Sequence, residues 1–183
     1  MYSIAISYYS SPVGELKIGT WQNTLCLCDW RYRRMRQAID NRVCQHLQAS
    51  MVEEETATAH ETITQLQAYF DGQLTSFSLP LTLAGTAFQQ RVWQALQQVP
   101  YGHTCSYLQL SAQLGDPLAI RAVASANGAN AISIIVPCHR IVGSQGELTG
   151  YAGGLPAKAA LLALEKRVLH PDRVEPAQGS FGF

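Results

Sequence analysis

No stretch of this sequence comes near the roughly 20 consecutive apolar residues that a bilayer-spanning helix needs, so no membrane contact is expected. The first residues lack a basic segment followed by an apolar one, and no secretory leader is expected either. Net charge is absent, since 13 Lys and Arg balance 13 Asp and Glu over 183 residues. That removes the simplest sign of a polyanion-binding protein. The five cysteines are an odd number. They argue against a disulfide framework and for reduced thiols, hence a cytoplasmic location. A Gly-rich strand–turn–helix fingerprint and a phosphate-binding loop are both missing, because "GSQG" and "GYAGG" have the wrong spacing. No cofactor is expected.

What remains is an ordinary globular composition, 47% hydrophobic, long enough for one large domain or two small ones. The charge is unevenly spread. Residues 1–82 carry six basic and eight acidic side chains, whereas residues 83–170 carry six basic against three acidic. The second half is therefore mildly positive, which permits a nucleic-acid partner without demanding one.

Alternation and turn signals predict a β-meander over 3–9, 15–20 and 24–30. The basic run "RYRRMR" follows, and the polar stretch through residue 60 reads as a loop or insertion. Ile63, Leu66 and Phe70 have helical spacing, closed by Asp71-Gly72. The segment "LTSFSLPLTLAG" suggests a strand and a linker, placing a domain boundary near Leu81. The second half reads as mostly helical. Thr86 caps a helix with the stripe Phe88, Val92, Ala95, Leu96 and Val99. Ser106 and Gln109 have capping-box spacing, Gly115 ends that short helix, and Asp116 caps the next, with Pro117 in its first turn. Two helices at 107–114 and 117–127 are either a helix-turn-helix or a plain helical hairpin. The second, "PLAIRAVASANGAN", has almost no bulk, and Arg121 is its only charge. Such a helix can approach another backbone closely. The expected class is α+β: an N-terminal α/β domain with an antiparallel meander (1–81), a C-terminal winged-helix-like domain (82–170) and a tail (171–183).

The chemistry concentrates in "ISIIVPCHRIVGS", residues 132–144. A run of branched apolar residues predicts a buried strand ending at Pro137, followed by Cys138, His139 and Arg140. A free thiol is mostly protonated at neutral pH and needs a base. His139 is the adjacent base, and Arg140 adds positive potential. A catalytic imidazole needs a third group to fix its tautomer. The C-terminal helix offers one on the stripe Leu155, Ala159, Leu162, Glu165 and Leu169, where Glu165 is the only acid. A carboxylate on an apolar face needs a partner, here assigned as His139. Taken singly, a structural thiol, a core imidazole and a surface acid are the commoner alternatives; their combination favours a nucleophilic site. Cys26 and Cys28 with Cys44 and His46 could be imagined as a metal site. However, the first two should share one face of a core strand, and no metal is assigned.

The segments "GTAFQQRVWQALQQVPYGHTCSYLQLSAQLG", "RAVASANGAN", "IIVPCHRIVGSQGELTGYAGG" and "KAALLALE" resemble, in this order, the O6-alkylguanine-DNA alkyltransferases. "SPVGELKIGTW" and "LQAYFDGQ" extend a weaker resemblance over the first half. The resemblance implies a single-turnover protein that moves an alkyl group from guanine O6, and O4 of thymine, in double-stranded DNA to its own cysteine after base flipping. It needs no methyl carrier and acts as a monomer. It implies Cys138 as acceptor, His139 as its base through a water, Glu165 orienting His139, and Tyr107 donating a proton to the departing guanine. Arg121 fills the gap in the base stack from a helix in the minor groove, with Ala122, Ala126, Asn127 and Tyr107 also on the DNA side. Tyr151, Ala152, Gly153 and Ile141 shape the pocket, and Asn130 and Arg140 are structural. Two positions depart from the family pattern: Ala124 stands where glycine is usual, and Ala131 where proline is usual. A non-catalytic lesion-sensing relative is the alternative, but such proteins lack the cysteine. A cysteine hydrolase and a transcription regulator are weaker rivals. The first gives Tyr107 and Arg121 no purpose, and the second needs bulkier polar groups on 117–127.

Overall fold

The computed structural model describes residues 2–172; the expected tail lies outside the described residues from 173 onward. The chain is a mixed α/β protein with a four-stranded N-terminal sheet and a helical C-terminal region. Strands β1 (Tyr2–Ser11), β2 (Gly14–Trp21) and β3 (Thr24–Trp30) form the expected antiparallel meander. Gln22 and Asn23 both adopt positive φ, 48° and 63°. That is the primed hairpin turn whose twist suits two adjoining strands.

The polar stretch after β3 is not a loop. It forms α1 (Arg36–Leu47) and β4 (Ala49–Glu53), and β4 pairs parallel with β1 to give the order β3-β2-β1-β4. The stripe of α1 is only one residue wide, Ile39, Val43 and Leu47 at steps of four, and a polar sequence hides it. Its fourth buried residue, Asp40, is neutralised by Lys17 and Arg36.

Both faces of the sheet are covered. Ile4, Ile6 and Leu27 pack on α1, while Leu16, Ile18, Leu25 and Cys28 join Leu66 and Tyr69 of α2 (Ala57–Phe70). Helix α2 starts earlier than its apolar spacing suggests because Thr56 caps it, accepting from Ala59 N at 3.1 Å. Cys26 is a β-bulge: Gly19 pairs with Leu27 and Thr20 with Leu25, leaving it without an opposite residue. Cys26 therefore sits on the α1 side and Cys28 on the other, and the expected shared face does not form. Burial pushes the Cys26 thiol up to about 12 and raises that of Cys28 as well.

Residues 74–86 run irregularly past β3, touching it through a Leu81–Leu25 bridge. Helix α3 (Ala87–Leu96) begins with a full Thr86/Gln89 capping box. Strand β5 (Cys105–Ser106) leads into α4 (Tyr107–Gln113), capped by the expected Ser106/Gln109 box. Asp116 caps no helix. Its carboxylate accepts from Leu118 N in a local turn, and α5 starts three residues later than expected, at Ile120, ending at Gly128. Trp93 of α3 is buried beneath α5 and donates Nε1 to the Ala126 carbonyl at 2.8 Å.

After a short β6 (Ile141–Val142), parallel to β5, the chain ends its described part with α6 (Leu155–Leu169). The expected stripe of α6 has the wrong phase. Leu155 and Leu169 are exposed, and the buried face is Ala157, Lys158, Leu161, Leu164 and Glu165. The two stripes share Glu165, which therefore points inward as expected.

Candidate active site

The apolar run 132–136 is a turn, not a strand. Only Ile132 bridges β3: Cys28 N donates to Ala131 O at 2.8 Å, and Ser133 N donates to Cys28 O at 2.7 Å. Ile134 adopts φ 72°, which a branched side chain reaches at a cost on the order of 1–3 kcal/mol. Neighbours hold it there. The Asn130 amide donates to Val136 O (2.9 Å) and Ile132 O (3.3 Å) and accepts from Ile132 N (2.9 Å). Ser133 Oγ donates to Asp29 of β3 at 3.0 Å. The Asn130 tether thus forms with alanine, not proline, at 131. Pro137 then turns the chain into a single 3-10 turn, Cys138–Arg140.

Glu165 is fully buried and lies at the centre of the polar network. Its Oε1 accepts from His139 Nε2 (2.7 Å), Tyr69 OH (2.8 Å) and Arg140 Nη2 (3.0 Å). Its Oε2 accepts from Arg140 Nε and Gly102 N, both at 3.0 Å. Burial alone would raise the carboxyl; the hydrogen bonds from His139 and Arg140 overcome it and hold the group at about 2. An ionised carboxylate can only accept, so His139 Nε2 carries the proton. Burial also holds the imidazole below its ordinary value, Glu165 opposing, so His139 is neutral near pH 7 and Nδ1 is the basic nitrogen. Nδ1 is buried and has no protein hydrogen-bond partner among the described residues.

Cys138 is 3% exposed. Burial pushes its thiol up; Asn130, Ser133 and the Lys158 ammonium work the other way, and Asp29 adds to the rise. The sulfur is therefore a buried, protonated thiol, and any attack by it would need a base. Arg140 donates Nη1 to Val99 O at 2.7 Å in addition to its two bonds to Glu165, so its positive charge is directed at the carboxylate.

A cleft of about 510 Å³ opens between α4, α5 and the 149–152 segment, lined by Tyr107, Asn127, Tyr151 and Ala152 among others. Burial raises the Tyr107 hydroxyl, with Thr149 and Asn127 opposing and the nearby Cys138 adding to the rise. Cys138, Ile141 and Gly153, expected at the pocket, do not line this cleft. Ile141 is fully buried in β6. A methyl group on Gly153 would fall within the Trp30 indole, which accounts for glycine there. On α5, Arg121 and Ala122 are exposed, with Ser125 and Gly128 on the same outward side. Of the other two α5 residues expected on the DNA side, Ala126 is buried over Trp93 and the core, and Asn127, though buried, lines the cleft beside Tyr107.

Two site residues escaped the sequence reading. Lys158 is fully buried and donates Nζ to the carbonyls of Ile141 and Thr149. It lies seven residues before Glu165, so the correct helical phase would have exposed it as a lysine on an apolar stripe. Tyr69 shares the Glu165 carboxylate from α2, and no local pattern links it to a residue 96 positions away.

A buried thiol followed directly by an imidazole whose tautomer a carboxylate fixes defines a class: cysteine group-transfer sites of the nucleophile–base–orienter kind. Comparison narrows it. Residues 4–83 match the ribonuclease-like domain of 6-O-methylguanine DNA methyltransferase, and residues 87–167 match the DNA-binding domain of the same protein. A Bacillus subtilis relative, "Methylated-DNA--protein-cysteine methyltransferase, constitutive", is 50% identical over 168 residues, covering 88% of this chain and 96% of its own. A Mycolicibacterium paratuberculosis methylated-DNA--protein-cysteine methyltransferase is 57% identical over 105 residues, covering 57% of this chain. That match spans 64% of the relative's own length, less than two thirds. The crystal structure of Mycobacterium tuberculosis OGT in complex with DNA superposes with a TM-score of 0.75 at 41% identity, covering 88% of this chain and 92% of the other. The chain belongs to the 6-O-methylguanine DNA methyltransferase family.

Proposed function

We propose that this chain repairs DNA by direct reversal, moving the alkyl group of O6-alkylguanine, and of O4-alkylthymine, onto Cys138. The observation that carries the reading is the His139 tautomer. Glu165 fixes the proton on Nε2, leaving a buried basic Nδ1 beside the cysteine in sequence. In the reaction His139 Nδ1 takes the Cys138 proton, through a water by family resemblance. The sulfur forms a bond to the alkyl carbon while the carbon–O6 bond breaks. The departing guanine takes a proton from Tyr107, which regains one from the imidazolium. Net, a thiol and an alkylated base become a thioether and guanine, and the protein acts once.

DNA binding is assigned to α4 and α5 as a helix-turn-helix, with the outward side of α5 in the minor groove and Arg121 replacing the extruded base. The M. tuberculosis structure with DNA supports this partner. Residues 1–81 serve as the structural domain and 82–170 as the DNA-binding and acceptor domain. The protein is placed in the cytoplasm as a monomer; no described helix is long and apolar enough to cross a membrane. The test is intact-protein mass after incubation with a duplex holding one O6-methylguanine. The expected result is one added methyl per chain, absent in Cys138→Ser. Binding without a mass change would leave only the lesion-sensing alternative, and repeated turnover would indicate a hydrolase.

A further inference from the structure

The basic run 31–36 has no place in the reading so far. It contains four arginines in a half of the chain where acids outnumber bases, and three of them are neutralised internally. Arg31 pairs with Glu15 at 2.9 Å, Arg33 with Asp29 at 2.7 Å, and Arg36 with Asp29 and Asp40 at 3.0 and 2.8 Å. Arg34 is exposed and has neither an acidic nor a hydrogen-bond partner among the described residues.

Its position is fixed by its neighbours. Arg33 Nη2 donates to Gly128 O at 2.8 Å, and Arg42 Nη2 donates to Ala129 O at 2.7 Å. These bonds dock the run against the C-terminal end of α5. Arg34 thereby joins Tyr107, Asn127 and Tyr151 in lining the cleft. At the other end of α5, Arg121 is likewise exposed and unpartnered among the described residues. Seven residues of helix, roughly 10 Å of rise, separate Arg121 from Gly128. Between the two cations the outward side offers only Ala122, Ser125 and Gly128.

We propose that Arg34 is a DNA-phosphate contact, so that the N-terminal half supplies part of the DNA interface at the end of α5 opposite Arg121. An exposed guanidinium on a surface loop, with no framework to orient it toward a base edge, positions without reading sequence. The inference rests on the DNA-repair reading above.

Salt dependence of binding tests it. Affinity for a duplex with one O6-methylguanine would be followed by fluorescence anisotropy from about 50 to 200 mM salt. Arg34→Ala is expected to lower the slope of log affinity on log salt by about 0.9 and weaken binding roughly five- to tenfold near 0.1 M. Arg34→Glu should weaken it further and lower the slope by more than Arg34→Ala does. Lys166→Ala, an equal charge change on the exposed side of α6, should leave the slope unaltered. An unchanged slope in Arg34→Ala, or an equal loss in Lys166→Ala, overturns the contact while the repair reading stands. A wild-type protein that takes no alkyl group from the duplex overturns the repair reading itself.

Discussion

Glu165 collects donors from four residues without any exposure to water, so acid should act on this protein first through its core. A carboxyl held at about 2, against an ordinary 4.5, contributes stability that is complete above pH 4.5 and lost as pH falls toward 2. The difference is worth on the order of 3 kcal/mol. His139 adds a loss of the same sign at higher pH. Its value lies below the ordinary 6.5, so the unfolded chain binds the extra proton first and stability declines as pH drops below 6.5. Thermal midpoints of wild type and Glu165→Gln measured from pH 7 to 2 check this. The variant should start lower and lose less between pH 4.5 and 2; parallel curves would contradict the role of the carboxylate. At this scale the sequence was informative where chemistry is local: Pro137, Cys138, His139 and Arg140 are contiguous, and Glu165 is the only acid in its helix. It was silent where a partner arrives from another element, as Tyr69 and Asp29 do.

Helices were legible where side chains mark their ends and illegible where only phase or tertiary contact decides. The Thr86 and Ser106 caps announce α3 and α4. Helix α1 has no capping side chain and a thin stripe, so its polar sequence reads as loop until Asp40 is seen to be neutralised by Arg36 and Lys17. In α6 the leucines at 155, 162 and 169 imitate a stripe seven residues apart, whereas the buried side follows 157, 161, 164 and 165. The outward side of α5 carries a further expectation. Ser125→Glu adds bulk and negative charge where the structure leaves room, so folding stability should shift by no more than about 0.5 kcal/mol. Repair of duplex DNA should slow at least tenfold while reaction with the free base is unaffected. Parallel stopped-flow assays on both substrates check the difference.

Across the whole molecule the two halves are built around a common core. Leu16, Ile18 and Cys28 of the sheet belong to the same buried cluster as Leu96, Val123, Ile134 and Leu161. A cut near Leu81 would expose that cluster on both fragments. Calorimetry should accordingly give one cooperative transition, with calorimetric and van't Hoff enthalpies equal; two resolved transitions would show independent domains. The sequence suggested a boundary near Leu81 because "LTSFSLPLTLAG" reads as a strand and a linker, but such a local pattern carries no information about packing across it.

The ladder of β3 does not stop at the sheet, since Cys28 exchanges backbone bonds with both Ala131 and Ser133. The loop bearing Cys138 is thus an annex of the other half's edge strand. A chimaera that transplanted residues 82–170 onto a foreign scaffold would have to bring a surrogate for that edge. Without one, Ile134 would relax toward ordinary geometry and the sulfur would lose its alignment. A minimal version of this chain should therefore be sought by trimming loops rather than by deleting the sheet.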